Sequence, residues 1–290
     1  MELIFPPIAQ KFLDSCFPRI EKTLPDLDFK GDLIARDLIH QVLARETKDF
    51  TARRRSWLQG IKSGEKSRIK NARCFIFAPG PSLEQVMEHF LAASNKKVRD
   101  SFYMAVDGAS RLFLRHDEAK LDAVITDLDG LDIDQVVRLH DRHGARVIVH
   151  GHGNNIDKLK ELMETVDLDE KYIFTTQATP TDRVFNLGGF TDGDRAAFVA
   201  VALGFPDIFL LAMDLDVATV GAYSKVDYAR LSDAERSIDR FPVKQKKMKI
   251  AMAILEWLVK NLPATCKMVT YQKQPPFKFI PNTNTLSTIP

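Results

Sequence analysis

The chain has 290 residues, of which 45% are hydrophobic and 28% charged, and its formal net charge is +2. This composition is typical of a soluble globular protein with one large domain or two ordinary ones, and the near-neutral charge argues against a general nucleic-acid binder. The cysteines Cys16, Cys74 and Cys266 are far apart and form no CxxC pair, so we expect neither a disulfide framework nor a zinc knuckle.

Residues 1–70 are predicted to form a helical N-terminal segment. Apolar residues recur there at helical spacing, at Leu33, Ile34, Leu38, Ile39 and Leu43. The basic run 53–55 either contacts phosphate or forms a solvated helix face, and the second arrangement is the commoner one for such a run.

From residue 71 to 272, apolar segments alternate with amphipathic ones. The predicted strands are RCFIFAPG, SFYMAVDG, LDAVITDLDG, ARVIVHGHG, KYIFTT, VFNLGG, DIFLLAMDLD and CKMVTYQK. Helices are predicted between these strands. They include SLEQVMEHFLAA, with Ser82 as its N-cap, SRLFLRH and, as the last one, KQKKMKIAMAILEWLVKNL. Continuous apolar strands that alternate with helices predict an α/β catalytic domain, with a Rossmann-like, mostly parallel sheet and helices on both faces.

The tail 273–290 is proline-rich and has no periodicity. We expect it to run extended over the surface or to clamp a neighbouring subunit, so a homodimer is a natural arrangement. The start, MELIFPPIAQ, lacks the order of a signal peptide, and the most apolar run, 196–213, is interrupted by Gly204, Pro206 and Asp207. We therefore expect a cytoplasmic protein without membrane contact.

Polar residues collect where the predicted strands end, which is where open parallel sheets bind ligands. Four of five such ends present Asp or His, a concentration that turn and capping chemistry alone does not require. The residues at these ends are Gly80, Pro81 and Ser82, then Asp107, then Asp127 and Asp129, then His150, His152, Asn154 and Asn155, and finally Asp214 and Asp216.

The segment VITDLDG, 124–130, ends a strand with two carboxylates, and clustered carboxylates favour a hard cation such as Mg²⁺ carried with a nucleotide. We expect Asp127 and Asp129, together with Asp107, to bind the metal. The histidines of HGHG have no nearby cysteine, so we expect them to bind phosphate or orient the acids rather than hold zinc.

Three further segments suit phosphate. APGPSLEQ is neither a Walker A loop nor a GxGxxG motif, but a tight turn that opens a helix can bind phosphate through its free N–H groups. FTDGDRAAF places Asp192 and Asp194 at a helix start beside Arg195, and capping explains only one of these acids comfortably. Lys225 follows Asp214 in a loop, where it can neutralise transferred charge.

In chain order, the motifs APGPSL, DGA (107–109), TDLDG (126–130), HGHG (150–153), FTDGDRA (190–196) and MD (213–214) resemble those of a known family. These are the archaeal-type 6-hydroxymethyl-7,8-dihydropterin pyrophosphokinases, which are distantly similar to thiamine pyrophosphokinases. The resemblance covers about residues 75–260.

The resemblance implies magnesium-dependent transfer of diphosphate from ATP to the hydroxymethyl group of a reduced pterin, with release of AMP, for tetrahydromethanopterin or folate synthesis. By motif, Asp107, Asp127, Asp129 and Asp192 would handle metal and phosphate, with the two histidines beside them. We expect Asn155 to face the pterin. Alanine at position 127 or at position 129 is expected to abolish turnover without unfolding the protein.

One position departs from the family, which usually reads HxHGDN where this chain has Asn154. An amide can coordinate a metal through its carbonyl oxygen, but it cannot act as a base. Alternatives also remain: thiamine as acceptor, a glycosyltransferase whose DLD is a DxD motif for a nucleotide sugar, or a nucleotide-binding protein without chemistry. The lack of a long second domain favours the pyrophosphokinase over the glycosyltransferase.

Overall fold

A seven-stranded, all-parallel sheet organises the protein. The structure is a computed structural model that describes residues 6–25, 27–46, 48–58, 72–92, 101–116, 118–271, 277–278 and 280–283. The strand order is β5-β4-β3-β2-β1-β6-β7. The strands are β1 (Arg73–Phe77), β2 (Phe102–Val106), β3 (Ala123–Thr126), β4 (Arg146–Gly151), β5 (Tyr172–Thr176), β6 (Asp207–Leu211) and β7 (Lys267–Tyr271).

Helices surround this sheet, so the predicted α/β fold with a helical N-terminal segment is confirmed. The helices that precede the sheet are α1 (Pro7–Ser15), α2 (Phe17–Thr23), α3 (Phe29–Ala44) and α4 (Thr51–Leu58). Those that follow β1 are α5 (Leu83–Ala92), α6 (Ile133–His143), α7 (Ile156–Thr165), α8 (Asp192–Leu203) and α9 (Pro242–Lys260).

The strands β1 to β6 bury side chains on both faces, as expected when successive residues point to opposite sides of a covered sheet, while the edge strand β7 buries one face fully. In β1, Phe75 and Phe77 belong to one core and Cys74 and Ile76 to the other. The N-terminal helices divide between the two faces, since α3 packs in the first core while α1, α2 and α4 pack in the second. The N-terminal segment therefore wraps around the sheet and contributes to both cores.

The buried face of α3 differs from the one that the apolar pattern predicts. Leu33 and Ile34 are 42% and 59% exposed, whereas Asp32 is only 3% exposed. Ala35 and Ile39 on the same face are fully buried. The helix thus buries a carboxylate together with Ile39 and Leu43, while Leu33 and Ile34 face outward.

Two other predicted elements differ in detail. Residues 107–115 form a 3₁₀ helix rather than an α-helix. The predicted strand VFNLGG is wrong, because Gly188 and Gly189 adopt φ values of 89° and 86° and the segment makes only a single bridge between Phe185 and Thr175. Left-handed backbone of this kind ends strand pairing.

Most of the predicted C-terminal tail, including 273–276, 279 and 284–290, lies outside the described residues. Of the rest, Phe277 and Ile280 are buried in the second core. Thr270 in β7 pairs with Asn282 through a parallel bridge, so 280–283 runs alongside the edge strand. Among the described helices, none combines the length and the apolar character needed to cross a bilayer.

The strand order places a topological switch point between β1 and β6. The chain adds β2 to β5 on one side of β1 and then returns to add β6 and β7 on the other side. The loops after β1 and β6 consequently leave the sheet in different directions and open a crevice, which is where ligands bind in folds of this type.

Candidate active site

A cavity of about 550 Å³ lies at the carboxyl ends of the strands, over this switch point. Its volume falls in the range of small-molecule binding pockets. The loops after β1 and β6 are joined by Asp214, whose Oδ2 accepts hydrogen bonds from the Ser82 backbone N–H at 2.8 Å and the Ser82 hydroxyl at 2.7 Å. Gly80, Pro81 and Asp214 line the cavity. Ser82 is not a lining residue and is bonded to Asp214.

Three carboxylates meet in the floor of this cavity. Asp107 follows β2, Asp127 follows β3, and Asp192 is the first residue of α8. One oxygen of each lies within 4.8 Å of the others. We call these three residues the acidic triad. The structure thus brings together Asp107 and Asp127, two of the three predicted metal ligands, with Asp192, which the family resemblance had marked among the acids that handle metal and phosphate.

Hydrogen bonds and close packing hold Asp107 in place. The buried hydroxyl of Thr126 donates to Asp107 Oδ1 at 2.6 Å and accepts from the Leu128 N–H at 2.8 Å. A Cβ atom on Gly130 would overlap the other carboxylate oxygen and the Gly108 N–H. Glycine at this position therefore lets the chain approach the carboxylate closely.

The protonation of the triad reflects its crowding. Burial, and then the charge of Asp127, raise the pKa of Asp107 to about 7. The same two causes raise the pKa of Asp192 well above its ordinary value. Burial also opposes the charge of Asp127, but the neighbouring His152, an N–H from Asp129 and the charge of Arg195 outweigh it and lower the pKa of Asp127 to about 2.

This donor set fits a divalent cation. Three carboxylate oxygens from separate elements converge, and burial together with the charge of Asp127 raises the pKa values of Asp107 and Asp192. Hard cations such as Mg²⁺ prefer oxygen ligands of this type.

Asp129 lies apart from the triad. Leu128 adopts a φ of 68°, so the chain turns between the two aspartates of the DLD sequence. Asp129 faces Lys225 instead, with Oδ2 and Nζ 3.1 Å apart, and Lys158 lies 3.6 Å from its other oxygen. Asp129 lines the same cavity and is paired with lysines, and its carboxylate is not one of the three that lie within 4.8 Å of one another.

Among the described residues, three non-glycine residues have left-handed backbone, and all three follow strands at this edge. They are Asp107 at φ 45°, Leu128 at φ 68° and Ala212 at φ 52°. Such conformations are strained for non-glycine residues and cluster at functional sites. Here they turn the chain sharply after β2, β3 and β6, next to the carboxylates.

Basic side chains line the wall opposite the triad. Lys225 and Arg240 come from the loop after β6, and Lys244 and Lys247 from the first turns of α9. Burial, and then the charge of Lys225, lower the pKa of Lys244 to about 8. We call these four residues the basic rim. Its signal in the sequence was VKQKKMK, in which Lys244 and Lys247 share one helix face at i, i+3 spacing.

His152 and Arg195, both predicted at the site, contact the triad directly. His152 Nε2 lies 3.6 Å from Asp127 Oδ2, and Arg195 Nη1 donates to Asp192 Oδ1 at 3.3 Å. Both also line the cavity. These two side chains supply positive charge or hydrogen-bond donors to two of the three acids.

His150 and Asn155 lie beneath the cavity wall. Burial, and then the charge of Arg195, hold the pKa of His150 well below its ordinary value, so the ring is neutral. The Asn155 amide donates to the carbonyls of Asp127 and His150 and accepts from the His152 N–H. These bonds bring β3 and β4 into register at their ends and leave Asn155 turned away from the cavity.

Asp194 is also removed from the cavity. It is fully buried, and its carboxylate accepts hydrogen bonds from the backbone of Phe190 and from the backbone and hydroxyl of Thr191. Thr191 and Asp194 form a capping box at the start of α8. Of the two acids at this helix start, one caps the helix and the other faces the cavity.

Sequence analysis missed residues from the N-terminal segment and from the end of β5. Leu27, Asp28 and Asp32 line the cavity from α3 and the residue pair before it, and Gln177 lines it from the residue after β5. No motif marks them, because α3 reaches the site by packing and not by continuing a strand.

An all-parallel sheet covered by helices, with acids collected at the carboxyl edge of its strands, defines an α/β protein with a candidate ligand site at that edge. The family description 6-hydroxymethylpterin diphosphokinase MptE-like matches residues 51–219. The chain belongs to this family, so the resemblance expected from its motifs is confirmed.

Individual relatives agree. The chain is 36% identical over 194 residues to the 6-hydroxymethyl-7,8-dihydropterin pyrophosphokinase of Methanothermobacter thermautotrophicus, covering 67% of this chain and 76% of that protein. It is 36% identical over 197 residues to the protein of the same name from Pyrococcus furiosus, covering 68% and 76%. A Methanocaldococcus jannaschii protein with this name is 28% identical over 199 residues, covering 67% and 77%.

The Asp192→Asn substitution is expected to stabilise the metal-free protein at neutral pH. A carboxyl with a higher pKa in the folded than in the unfolded state destabilises the protein increasingly as pH rises above about 4. With EDTA present, Tm should exceed that of the original protein by about 2–4 °C at pH 8, the shift that ~1 kcal/mol produces in a large domain. The difference should shrink at pH 5.

Asp157→Asn is the control, because Asp157 is fully exposed on α7. Added Mg²⁺ should raise the Tm of the original protein and of the control more than that of Asp192→Asn. If Asp192→Asn and the original protein differed in Tm by the same amount at pH 5 and at pH 8, the inference that the triad raises the pKa of Asp192 would be contradicted.

Proposed function

We propose that the protein is a magnesium-dependent pyrophosphokinase that transfers diphosphate from ATP to the hydroxymethyl group of 6-hydroxymethyl-7,8-dihydropterin and releases AMP. The observation that carries the proposal is the acidic triad facing the basic rim across one cavity. The names of the family and of the relatives supply the acceptor.

The reaction replaces one bond to the β-phosphorus of ATP with another. The hydroxymethyl oxygen attacks this phosphorus, the bond to the bridging oxygen of AMP breaks, and the hydroxyl proton is released to solvent at neutral pH. Such transfers depend on positioning and charge neutralisation more than on covalent catalysis. Bound Mg²⁺ would neutralise phosphate charge, and Asp107, Asp127 and Asp192 would hold it.

The basic rim would bind the phosphates on the other side. Lys244 and Lys247 project from the start of α9, where unpaired backbone N–H groups and the helix dipole also favour anions. Lys225, oriented by Asp129, would neutralise charge as it develops on the departing AMP.

Aromatic side chains on both sides of the cavity suit flat rings. Phe190 lies near the triad, and Phe241 and Tyr228 lie near the basic rim. Asn154 presents an amide to the same cavity and suits the polar edge of a pterin. It takes over the role expected of Asn155, whose amide is bonded to backbone groups.

The separation of Asp127 from Asp129 weighs against the glycosyltransferase alternative. That alternative takes the DLD sequence as a DxD motif, which holds the metal of a nucleotide sugar. In this structure one faces the triad and the other faces two lysines.

Product analysis tests the reaction. Purified protein with ATP, Mg²⁺ and 6-hydroxymethyl-7,8-dihydropterin should form AMP and the pterin diphosphate, and AMP should not form without the pterin. Thiamine and nucleotide sugars serve as alternative substrates in parallel. The proposed reaction would be refuted if ADP were the product, or if AMP formed with thiamine as acceptor and not with the pterin.

The two aspartates of the DLD sequence should differ when each is replaced by asparagine. Asp127→Asn removes a triad carboxylate and should lower kcat by at least about 100-fold, as for other losses of preorganised charge. Asp129→Asn breaks partly exposed ion pairs worth up to about 1 kcal/mol, so kcat/KM should fall less than about tenfold. If the two variants lost activity equally in steady-state kinetics, both aspartates would be metal ligands.

Lys244→Gln should raise KM for ATP with a smaller effect on kcat. A charge-assisted hydrogen bond worth about 1.5–3 kcal/mol corresponds to roughly 10–100-fold in KM if it is made equally in the ground and transition states. Lys246→Gln is the matched control, because Lys246 is exposed on the same helix and does not line the cavity. Similar KM values for ATP in the two variants would show that Lys244 does not bind the phosphates.

A further inference from the structure

Asp32 on α3 is a buried carboxylate whose described hydrogen-bond partners are both neutral. The residue is 3% exposed. Its Oδ1 accepts from the Gly153 backbone N–H at 3.0 Å, and its Oδ2 accepts from Gln177 Nε2 at 2.6 Å. Burying a charge is costly, so a carboxylate kept here by neutral donors calls for a reason other than stability.

The contact with Gln177 leads to the acidic triad. Gln177 Oε1 accepts from Arg195 Nη2 at 3.2 Å, and Arg195 Nη1 donates to Asp192 Oδ1 at 3.3 Å. Four side chains, from α3, from the end of β5 and from α8, thus form one chain of hydrogen bonds that ends on a triad carboxylate. We call it the Asp32 chain.

The Asp32 chain has a fixed direction. A carboxylate only accepts hydrogen bonds and a guanidinium only donates them, so the Gln177 amide between them has one permitted orientation. With its NH₂ toward Asp32 and its oxygen toward Arg195, both bonds form. Rotation of the amide by 180° would break both.

The contact with Gly153 leads to a second acid of the triad. Gly153 begins the short turn 153–155, which follows His152. His152 Nδ1 accepts from the Asn154 N–H at 3.2 Å, so a neutral ring carries its proton on Nε2, the atom 3.6 Å from Asp127 Oδ2. One carboxylate on α3 therefore supports the side chains that face both Asp127 and Asp192.

We propose that Asp32 is a positioning residue for the acidic triad, acting through Gln177 and Arg195 on Asp192 and through the 153–155 turn on His152. This inference rests on the metal site of the proposed function. Groups that orient metal ligands in this way are worth 10–100-fold in metal affinity or activity when removed. Asp32 lies outside the range 51–219 that the family description matches, so the N-terminal segment becomes part of the site.

A swap of donor and acceptor tests the proposal. Asp32→Asn places the NH₂ of the new asparagine against the NH₂ of Gln177, so two donors face each other. Rotating the Gln177 amide would instead turn its NH₂ toward the donor Arg195. Rotating the asparagine amide would turn its NH₂ toward the Gly153 N–H. The double variant Asp32→Asn/Gln177→Glu restores a donor facing an acceptor at each step and keeps the net charge. The single variant should lose function, and the double variant should recover most of it.

Binding of Mn²⁺, followed by electron paramagnetic resonance without ATP or pterin, is the first measurement. Asp32→Asn should weaken it by about 10-fold or more, in the range for lost support of a metal ligand. Steady-state assays should then show a matching fall in kcat with a smaller change in KM for ATP, and thermal unfolding should report stability separately. Asp37→Asn is the control, because Asp37 is exposed on the same helix and pairs with Arg36.

Gln177→Met keeps the bond between Asp32 and Gly153 and cuts the Asp32 chain, so it should reproduce the loss of Mn²⁺ affinity even if Asp32→Asn does not fold.

The proposal is overturned if Asp32→Asn lowers Tm but leaves Mn²⁺ affinity and kcat unchanged, if the double variant is no better than the single one, or if the original protein binds no Mn²⁺. Mn²⁺ binding without AMP formation would refute the proposed reaction alone, and the Mn²⁺ comparison would still decide the role of Asp32.

Discussion

The repulsion among Asp107, Asp127 and Asp192 is the constraint on which the rest of the site depends. Three carboxylates with oxygens within 4.8 Å of one another cannot all ionise cheaply in a partly buried setting. Arg195 and His152 lie beside two of these acids, while burial and the charge of Asp127 still raise the pKa values of Asp107 and Asp192. The arrangement costs stability in the metal-free protein, and its donor set suits a cation.

The sheet makes this arrangement possible because parallel strands deliver their carboxyl ends to one edge. The left-handed residues Asp107, Leu128 and Ala212 then turn the chain immediately after β2, β3 and β6. Close approach at Gly130 and the hydroxyl of Thr126 hold Asp107 against the turn after β3. Strain in the backbone and crowding of charge thus occur in the same few residues, supported by well-packed strands beneath.

The sequence was sufficient to predict the fold class, because buried strands and amphipathic helices have periods that can be read locally. It also identified Asp107, Asp127 and Asp192 as polar residues at the sheet edge or at a helix start. It placed Asp129 beside Asp127 because the positive φ of Leu128 leaves no mark in a leucine. Asn155 and Asp194 are chemically suited to ligands, and only the structure shows that backbone groups use their hydrogen-bonding atoms.

Asp32 and Lys244 could not be assigned from the sequence for a different reason. Each lies on a helix far along the chain from the motifs, and its place depends on how that helix packs against the sheet. On α3, Leu33 and Ile34 face outward while Asp32 faces inward, the reverse of what hydrophobicity favours. Long-range packing carries information that local periodicity does not contain.

The cavity lining combines side chains from α3, before the first strand, with side chains from α9, after the sixth. Helices packed on a sheet commonly open at a lower free energy than its central strands do. A molecule that touches both helices would therefore hold two distant segments of the polypeptide together across the crevice. Occupancy of the cavity and the resistance of α3 and α9 to local unfolding would then rise and fall as a single equilibrium.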